Sequence, residues 1–263
     1  LNEYKILKNF SNIKVQIAGN KPISMAKAAK KISKFGFAEV NINCGCPSKN
    51  VIAGNFGLIL LKNPKIVKDC VNAIKNETDL KVSVKTRIGI GTNYNDDLLN
   101  DFISEINMSG VNKYIIHARN GILGKLSTKN NLSVPPLKYE RVFELKEKFS
   151  KNKIIINGGF LNTLEFQKYS NKVDGIMIGR EAYKNPWIFS ENAITNQQKK
   201  ELVIRYITKL KKFFTDKSIN KNSINHIQNI FNSTNGAKNW RKAVSLSIHN
   251  NDLQHLLNYI KSY

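Results

Sequence analysis

The 263-residue sequence predicts an α/β barrel of parallel strands followed by a helical domain. Short segments rich in Val and Ile alternate with amphipathic helical patterns over the first two-thirds of the chain, which is the pattern of a parallel sheet covered by helices. Polar or glycine motifs follow nearly every one of these segments. Such motifs ring one site in a (β/α)₈ barrel of the TIM type, whereas in an open doubly wound sheet they gather at one switch point. The motifs therefore favour the barrel.

Six segments have the length and composition of buried strands, and each is closed by glycine, proline or a polar turn. These strands are Lys14–Ala18, Ala38–Asn43, Lys81–Thr86, Lys113–His117, Lys153–Asn157 and Gly175–Gly179. The helical patterns between them are Ser24–Phe35, Pro64–Lys75, Asn95–Ser109, Tyr139–Phe149 and Leu164–Tyr169. Six strands are two fewer than the eight that close a (β/α)₈ barrel.

After about Asn192 the strand patterns stop and apolar residues recur at helical spacing. The predicted helices of this part are Gln197–Asp216, Ser223–Phe231, Ala237–Ser247 and Leu253–Tyr263. We therefore divide the chain into a catalytic barrel domain, 1–192, and a helical domain, 193–263.

The chain carries a formal net charge of +23, and residues 197–263 hold 12 basic and 3 acidic residues. Compositional drift toward Lys and a polyanionic partner both explain a basic surface. The denser charge of the helical domain favours nucleic acid, and Lys238 and Arg241 beside Trp240 are candidate phosphate contacts. For Trp240 itself, core packing is favoured over stacking on a base.

Composition excludes several classes of protein. A hydrophobic content of 41% supports a folded core, so a disordered chain is excluded. The apolar runs fall short of the roughly 18 residues of a membrane helix, which predicts no membrane partner. Three cysteines do not make a disulfide framework, which predicts a reducing, cytoplasmic compartment. We also expect a monomer.

The second predicted strand ends in a cysteine motif, Asn43-Cys-Gly-Cys-Pro-Ser48. A C-x-C pair without a second pair or a nearby His disfavours zinc, so no metal is expected. Cys44 and Cys70 suit burial as small hydrophobic residues. Cys46 suits an exposed loop, where a protonated thiol can act as a general acid. The glycine-rich segment that follows, 53–57, is predicted to be mobile and to close over a substrate.

Other strand ends carry the remaining candidate residues. Lys85 and His117 end the third and fourth strands, and Arg119 follows directly. Glycines at the ends of the last two strands suit phosphate binding through backbone N–H groups; these candidates are Asn157, Gly158, Gly159, Gly179 and Arg180. With Gln16 on the first strand, this inventory lacks a clear carboxylate pair and a metal set. It suits bound flavin mononucleotide (FMN) better than hydrolysis.

Five of these motifs, in this order, resemble those of the tRNA-dihydrouridine synthases. They are Asn43-Cys-Gly-Cys-Pro-Ser48, Val84-Lys-Thr-Arg-Ile-Gly89, Ile116-His-Ala-Arg119, Ile156-Asn-Gly-Gly159 and Gly179-Arg-Glu-Ala-Tyr183. Leu126-Ser-Thr-Lys129 followed by Pro135-Pro-Leu137 is similar to the DusA-type subfamily, which acts on uridines 20 and 20a. The resemblance runs from about Val15 to Trp187 and continues weakly into the helical domain.

The resemblance implies an FMN-dependent TIM barrel with a C-terminal helical tRNA-binding domain, and NADPH as the reductant. Reduced FMN would pass hydride to C6 of a D-loop uridine, and Cys46 would protonate C5. The positions that match FMN contacts are Gln16, Lys85, His117, Asn157, Gly158, Gly159, Gly179 and Arg180. Asn43 and Lys129 match tRNA contacts, and we add Arg119 to this set.

Barrels of this family begin with two βα units ahead of the strand that matches Lys14–Ala18, and this sequence lacks them. Two further functions stay open at this point. One is a small-molecule FMN oxidoreductase related to the dihydroorotate dehydrogenases, which would not need a basic helical domain. The other is an inactive relic that retains RNA binding, which would be colourless when purified.

Overall fold

The computed structural model of the chain describes residues 12–92, 96–124, 126–127, 129–190, 192–213 and 221–262. They form two compact units. The sheet unit comprises Leu1–Phe160 with Leu164–Met177, and the helical unit comprises Leu161–Thr163 with Ile178–Tyr263. Residues 178–192, which we had assigned to the barrel domain, thus fall within the helical unit.

Six parallel strands lie side by side in the order of the sequence, as in a TIM-type barrel. They are β1 (Lys14–Ile17), β2 (Glu39–Cys44), β3 (Lys81–Arg87), β4 (Lys113–His117), β5 (Lys153–Asn157) and β6 (Gly175–Met177). All six predicted strands are present, and β4 and β5 have the predicted bounds. The last strand ends at Met177, two residues earlier than predicted, and the backbone at Gly179 lies outside the extended region with φ −106° and ψ −93°.

Helices connect the strands, as the parallel arrangement requires. The α-helices of the sheet unit are α1 (Pro22–Ser33), α2 (Lys49–Ala53), α3 (Pro64–Glu77), α4 (Asp96–Asn107) and α5 (Tyr139–Lys148). Pro22 and Pro64 lie in the first turns of α1 and α3, where a missing N–H leaves no bond unmade. The predicted helix Leu164–Tyr169 is instead a short 3₁₀ helix, Leu164–Lys168.

The two faces of the sheet differ in polarity. On β2, Val40, Ile42 and Cys44 are fully buried and belong to the apolar core. The alternate residues Glu39 and Asn41 are buried as well, but they hydrogen-bond to other polar side chains. A parallel strand buried on both faces is usually apolar throughout. The polar face of β2 is therefore a specific feature of this sheet.

The helical unit has its own apolar core around Trp240, which is fully buried and donates its indole N–H to the carbonyl of Ile227 at 2.9 Å. Its helices are α6 (Arg180–Lys184), α7 (Asn196–Phe213), α8 (Lys221–Asn225), α9 (Ala237–His249) and α10 (Leu253–Ser262). Core packing of Trp240 is confirmed, so stacking on a base is excluded. The predicted helix Ser223–Phe231 is helical only to Asn225 and continues as turns. The predicted end of Gln197–Asp216 lies outside the described residues.

Within the described residues, no helix combines the length and the apolar character needed to cross a membrane.

Candidate active site

The carboxyl ends of β2 to β5 bring four of the predicted site residues to one edge of the sheet. Asn43 of β2 pairs in register with Lys85 of β3. Arg87, His117 and Asn157 lie in one row across β3, β4 and β5. Because neighbouring parallel strands lie about 4.8 Å apart, these side chains form a continuous polar edge.

Backbone and side-chain hydrogen bonds hold the loop that carries Cys46, residues 45–48. The Asn43 side-chain oxygen accepts from the backbone N–H groups of Gly45, at 3.0 Å, and Cys46, at 3.1 Å. The Cys46 carbonyl accepts from the N–H of Leu58 at 3.0 Å. The half-buried Cys46 thiol donates to Ser48 Oγ at 3.4 Å. The loop therefore presents the thiol in one defined place.

The other two cysteines are buried, as predicted. Burial raises the pKa of the Cys44 thiol far above its usual value, and it raises that of Cys70 to about 11. Both thiols therefore stay protonated inside the core. Among the three cysteines, Cys46 is the one that a substrate or reagent can reach.

Two cations lie beneath the Cys46 loop. Burial, with the neighbouring Arg87, lowers the pKa of Lys85 to about 8, although Cys46 acts in the opposite direction. Burial also lowers the pKa of Arg87 to about 10. Both side chains remain cationic at neutral pH, so this edge of the sheet attracts anionic or electron-rich groups.

The turn after β5 has a backbone that only glycine adopts readily. Gly158 and Gly159 have φ of +125° and +78°, in the region that side chains disfavour. A Cβ on Gly158 would lie 3.0 Å from the His117 ring, and the Tyr139 hydroxyl donates to the Gly158 carbonyl at 2.5 Å. The Asn157 side chain donates to the Met177 carbonyl at 2.8 Å. A rigid glycine turn next to a histidine fits a phosphate-bearing flavin.

Among the described residues, no group of three or more His, Cys, Asp or Glu side chains is placed to hold a metal ion.

Comparison with known proteins identifies the family. The family model described as "Dihydrouridine synthase (Dus)" matches residues 1–262. The chain belongs to the dihydrouridine synthase family. A relative from Shewanella oneidensis, named tRNA-dihydrouridine(20/20a) synthase, is 36% identical over 90% of this chain and 73% of its own length. One of the same name from Vibrio parahaemolyticus is 36% identical over 89% of this chain and 74% of its own length.

Among solved structures, morphinone reductase in complex with tetrahydroNAD is similar with a TM-score of 0.43 and 13% identity. That similarity covers 62% of this chain and 45% of the other.

The remaining candidate residues, which came from the resemblance or from the basic charge of the helical domain, lie in several places. Gln16 stands on β1 and donates to the Asn41 side chain at 2.7 Å. Arg119 donates to the backbone carbonyls of Ser133 and Pro135. Lys129 is exposed just before a 3₁₀ helix. The residues that fall in the helical unit are Gly179, Arg180, Lys238 and Arg241.

The structure also adds residues that sequence reasoning missed. Tyr139 was predicted only as the start of a helix, yet its hydroxyl braces the Gly158 turn. Ser48 contacts the Cys46 thiol. On the polar face of β2, Asn41 contacts Gln16 and Ser83. The alternation of Glu39, Asn41 and Asn43 along an otherwise apolar strand is the sequence signal that would have found the last group.

Proposed function

We propose that this chain reduces a uridine of tRNA to 5,6-dihydrouridine, with FMN as the bound cofactor and NADPH as the reductant. One observation supports this more than any other: the loop of Cys46 is fixed by hydrogen bonds at the strand ends where Lys85 and His117 also lie. Family membership supports the reaction class and the flavin.

The proposed chemistry adds a hydride and a proton across the C5=C6 bond of uracil. Bound reduced FMN supplies the hydride for C6. The Cys46 thiol gives its proton to C5, and the resulting thiolate lies near two cations, Lys85 and Arg87.

The residues that would hold FMN lie on the polar edge of the sheet. Lys85 supplies a cation, His117 a ring nitrogen, and Asn157 and Gln16 their amides. Gly158 and Gly159 supply a turn without side chains of its own. Leu137, His117 and Tyr139 pack against it where a Cβ would lie, so a phosphate would be bound through the backbone N–H groups. The parts played by Gly179 and Arg180 stay predictions.

The tRNA must present its uridine out of the base stack, because the reacting carbons are otherwise covered. We propose that the second N–H of the Asn43 amide contacts the uracil, and that Arg119 and Lys129 contact the RNA close to it. The exposed Lys238 and the half-exposed Arg241 contact other phosphates of the tRNA. The target follows the names of the relatives, uridines 20 and 20a of tRNA.

Several finer points belong to the same proposal. We propose that the six described strands belong to an eight-stranded barrel, of which β1 and β6 are the two open edges. The first two βα units of that barrel are not among the six strands. We propose that the boundary between the catalytic domain and the tRNA-binding domain lies between residues 192 and 193, so that the motif around Gly179 belongs to the catalytic domain. A tRNA substrate supports action in the cytoplasm, and the monomeric state stays a prediction.

The test is direct. Purified protein is supplied with FMN, NADPH and an unmodified tRNA transcript, and dihydrouridine is measured as a mass increase of about 2 Da in nuclease digests, because two hydrogen atoms are added. We expect the increase at uridine 20 or 20a. Oxidation of NADPH without any modified tRNA would contradict the proposal and favour a small-molecule flavoprotein.

A further inference from the structure

We propose that Glu39 and Lys113, at the amino ends of β2 and β4, position Cys46 through a chain of hydrogen-bonded side chains. The inference rests on the proposed role of Cys46 as the acid. Neither residue belongs to the candidate site itself, and both lie at the opposite end of the sheet from it.

The series of hydrogen-bonded side chains extends along β2 from its amino end to its carboxyl end. The Lys113 ammonium contacts both Glu39 oxygens, at 2.8 and 3.0 Å, and Ser83 donates to Glu39 at 2.7 Å. Asn41 donates to Ser83 Oγ at 2.9 Å.

Gln16 then donates to the Asn41 oxygen at 2.7 Å, and Asn43 donates to the Gln16 oxygen at 3.0 Å. The Asn43 oxygen finally accepts from the N–H groups of Gly45 and Cys46.

The direction of every bond follows from the carboxylate at one end. An ionised carboxylate only accepts hydrogen bonds, so the Ser83 hydroxyl must donate to Glu39. The Ser83 oxygen is then left to accept from the amide nitrogen of Asn41. That orientation turns the Asn41 oxygen toward Gln16, and the Gln16 oxygen toward Asn43.

The orientation of these amides determines which atom Asn43 turns toward the Cys46 loop. With its nitrogen turned to Gln16, Asn43 presents its oxygen to the two N–H groups of the Cys46 loop. If every amide were reversed, the Asn43 nitrogen would face those N–H groups, donor against donor. The Gly45 and Cys46 N–H groups are half-buried, so each would lose part of the about 1–3 kcal/mol that a fully buried donor without an acceptor costs, and the loop would move to another conformation.

Burial makes this selection effective from Glu39 to Asn41, whereas Gln16 is exposed and Asn43 is half-buried. Ser83 is fully buried, and Asn41 and Glu39 are 4% and 7% exposed, so water cannot readily replace a mismatched partner. Lys113 contacts the Glu39 carboxylate more closely than Lys14 does, whose ammonium is 3.9 Å away and whose side chain is 44% exposed.

The substitution Glu39→Gln tests the inference with little change of shape. The oxygen of the new Gln side chain would turn to the Lys113 cation, so its nitrogen would donate to Ser83. Each hydrogen bond from Ser83 to Asn43 would then run in the opposite direction. We expect about a tenfold loss of kcat, because a misplaced acid slows the chemical step. The KM for tRNA should rise as well, because the reversed Asn43 no longer turns an N–H toward the uracil. We also expect iodoacetamide to alkylate Cys46 several-fold faster, as its loop loosens.

The double variant Glu39→Gln with Lys113→Met separates positioning from packing. Without the cation, the Gln oxygen is free to accept from Ser83 again, so both kcat and the alkylation rate should return toward those of the wild type. Failure of this rescue, or a wild-type alkylation rate in the single variant, would overturn the inference.

The matched control is Glu105→Gln, which removes a half-buried ion pair with Lys68 at 2.6 Å, remote in sequence from the Cys46 loop, and should change neither readout. If Glu39→Gln does not fold, Ser83→Ala interrupts the same chain and should also accelerate alkylation. Alkylation is followed by mass spectrometry on the FMN-loaded protein, so it remains informative even if tRNA is not modified.

Discussion

The Arg87 Nε donates a hydrogen bond of 3.0 Å to the carbonyl of Gly45, the residue directly before Cys46. The same guanidinium donates through Nη1 to the carbonyls of Asn120 and Asn131, both at 3.0 Å. Arg87 is 2% exposed. One buried cation thus joins the loop of the proposed acid to the segment after β4, in which Lys129 also lies.

Replacing Arg87 with Lys should destabilise the protein, because a single ammonium cannot reach three carbonyls in the geometry of a planar guanidinium. We expect the free energy of unfolding in urea to fall by about 2–4 kcal/mol. Arg205→Lys, at an exposed position of α7, is the control and should change it by less than about 0.5 kcal/mol. Equal effects of the two substitutions would show that the three carbonyl contacts contribute nothing.

Cys46→Ala should leave FMN binding intact and reduce dihydrouridine formation by about 10²–10⁴-fold, the usual contribution of a general acid. FMN binding is measured from its fluorescence, and modification from digests of tRNA. The control is Cys70→Ala, which removes a buried thiol from α3 and should lower stability without lowering the rate. Normal modification by Cys46→Ala would show that another group donates the proton.

FMN affinity should depend on pH through Lys85. Its pKa is lowered to about 8, below the ordinary value, so the free protein loses this cation as the pH rises through 8. If bound FMN requires the cation, its Kd should rise about tenfold between pH 7 and pH 9. Lys85→Met should bind more weakly at pH 7 and show a flat profile, and a steep profile in that variant would assign the titration to another group.

The same group affects stability with a definite sign. Because the folded pKa lies below the unfolded one, the unfolded chain binds more protons between about pH 8 and 10.5. The free energy of unfolding should therefore gain a favourable contribution from Lys85 across this window as the pH rises. Urea titrations of wild type and Lys85→Met at pH 7.5 and 10 should differ in their pH dependence in that direction.

Much of the sheet was predictable because its signals are local. β4 and β5 are short Val- or Ile-rich runs bounded by polar turns, and the structure has them at the predicted residues. Burial of Cys44, Cys70 and Trp240 also followed from local pattern. The motifs at strand ends sufficed to predict the family, since parallel strands bring their carboxyl ends together.

The remaining features depend on contacts between distant residues. The contact of Tyr139 with Gly158 joins residues 19 positions apart, and that of Arg87 with Gly45 joins residues 42 apart. Neither the hydrophobic periodicity of the sequence nor its composition indicates which carbonyl group a buried donor will contact. The short helix α2 was missed because five residues are too few for a helical period, and the mobility predicted for residues 53–57 stays a prediction.

The basic surface of the helical unit should contribute to tRNA affinity through counterion release. Lys238 is exposed on α9, so Lys238→Ala should weaken binding and reduce the slope of log affinity against log salt by about 1. The matched control is Lys30→Ala on α1, because Lys30 is already paired with Glu77 at 2.7 Å and should release no counterion on binding. Affinities are measured by filter binding from 50 to 200 mM salt. If both variants keep the wild-type slope, compositional drift toward Lys accounts for the charge at Lys238, and the tRNA contact must be sought on another face.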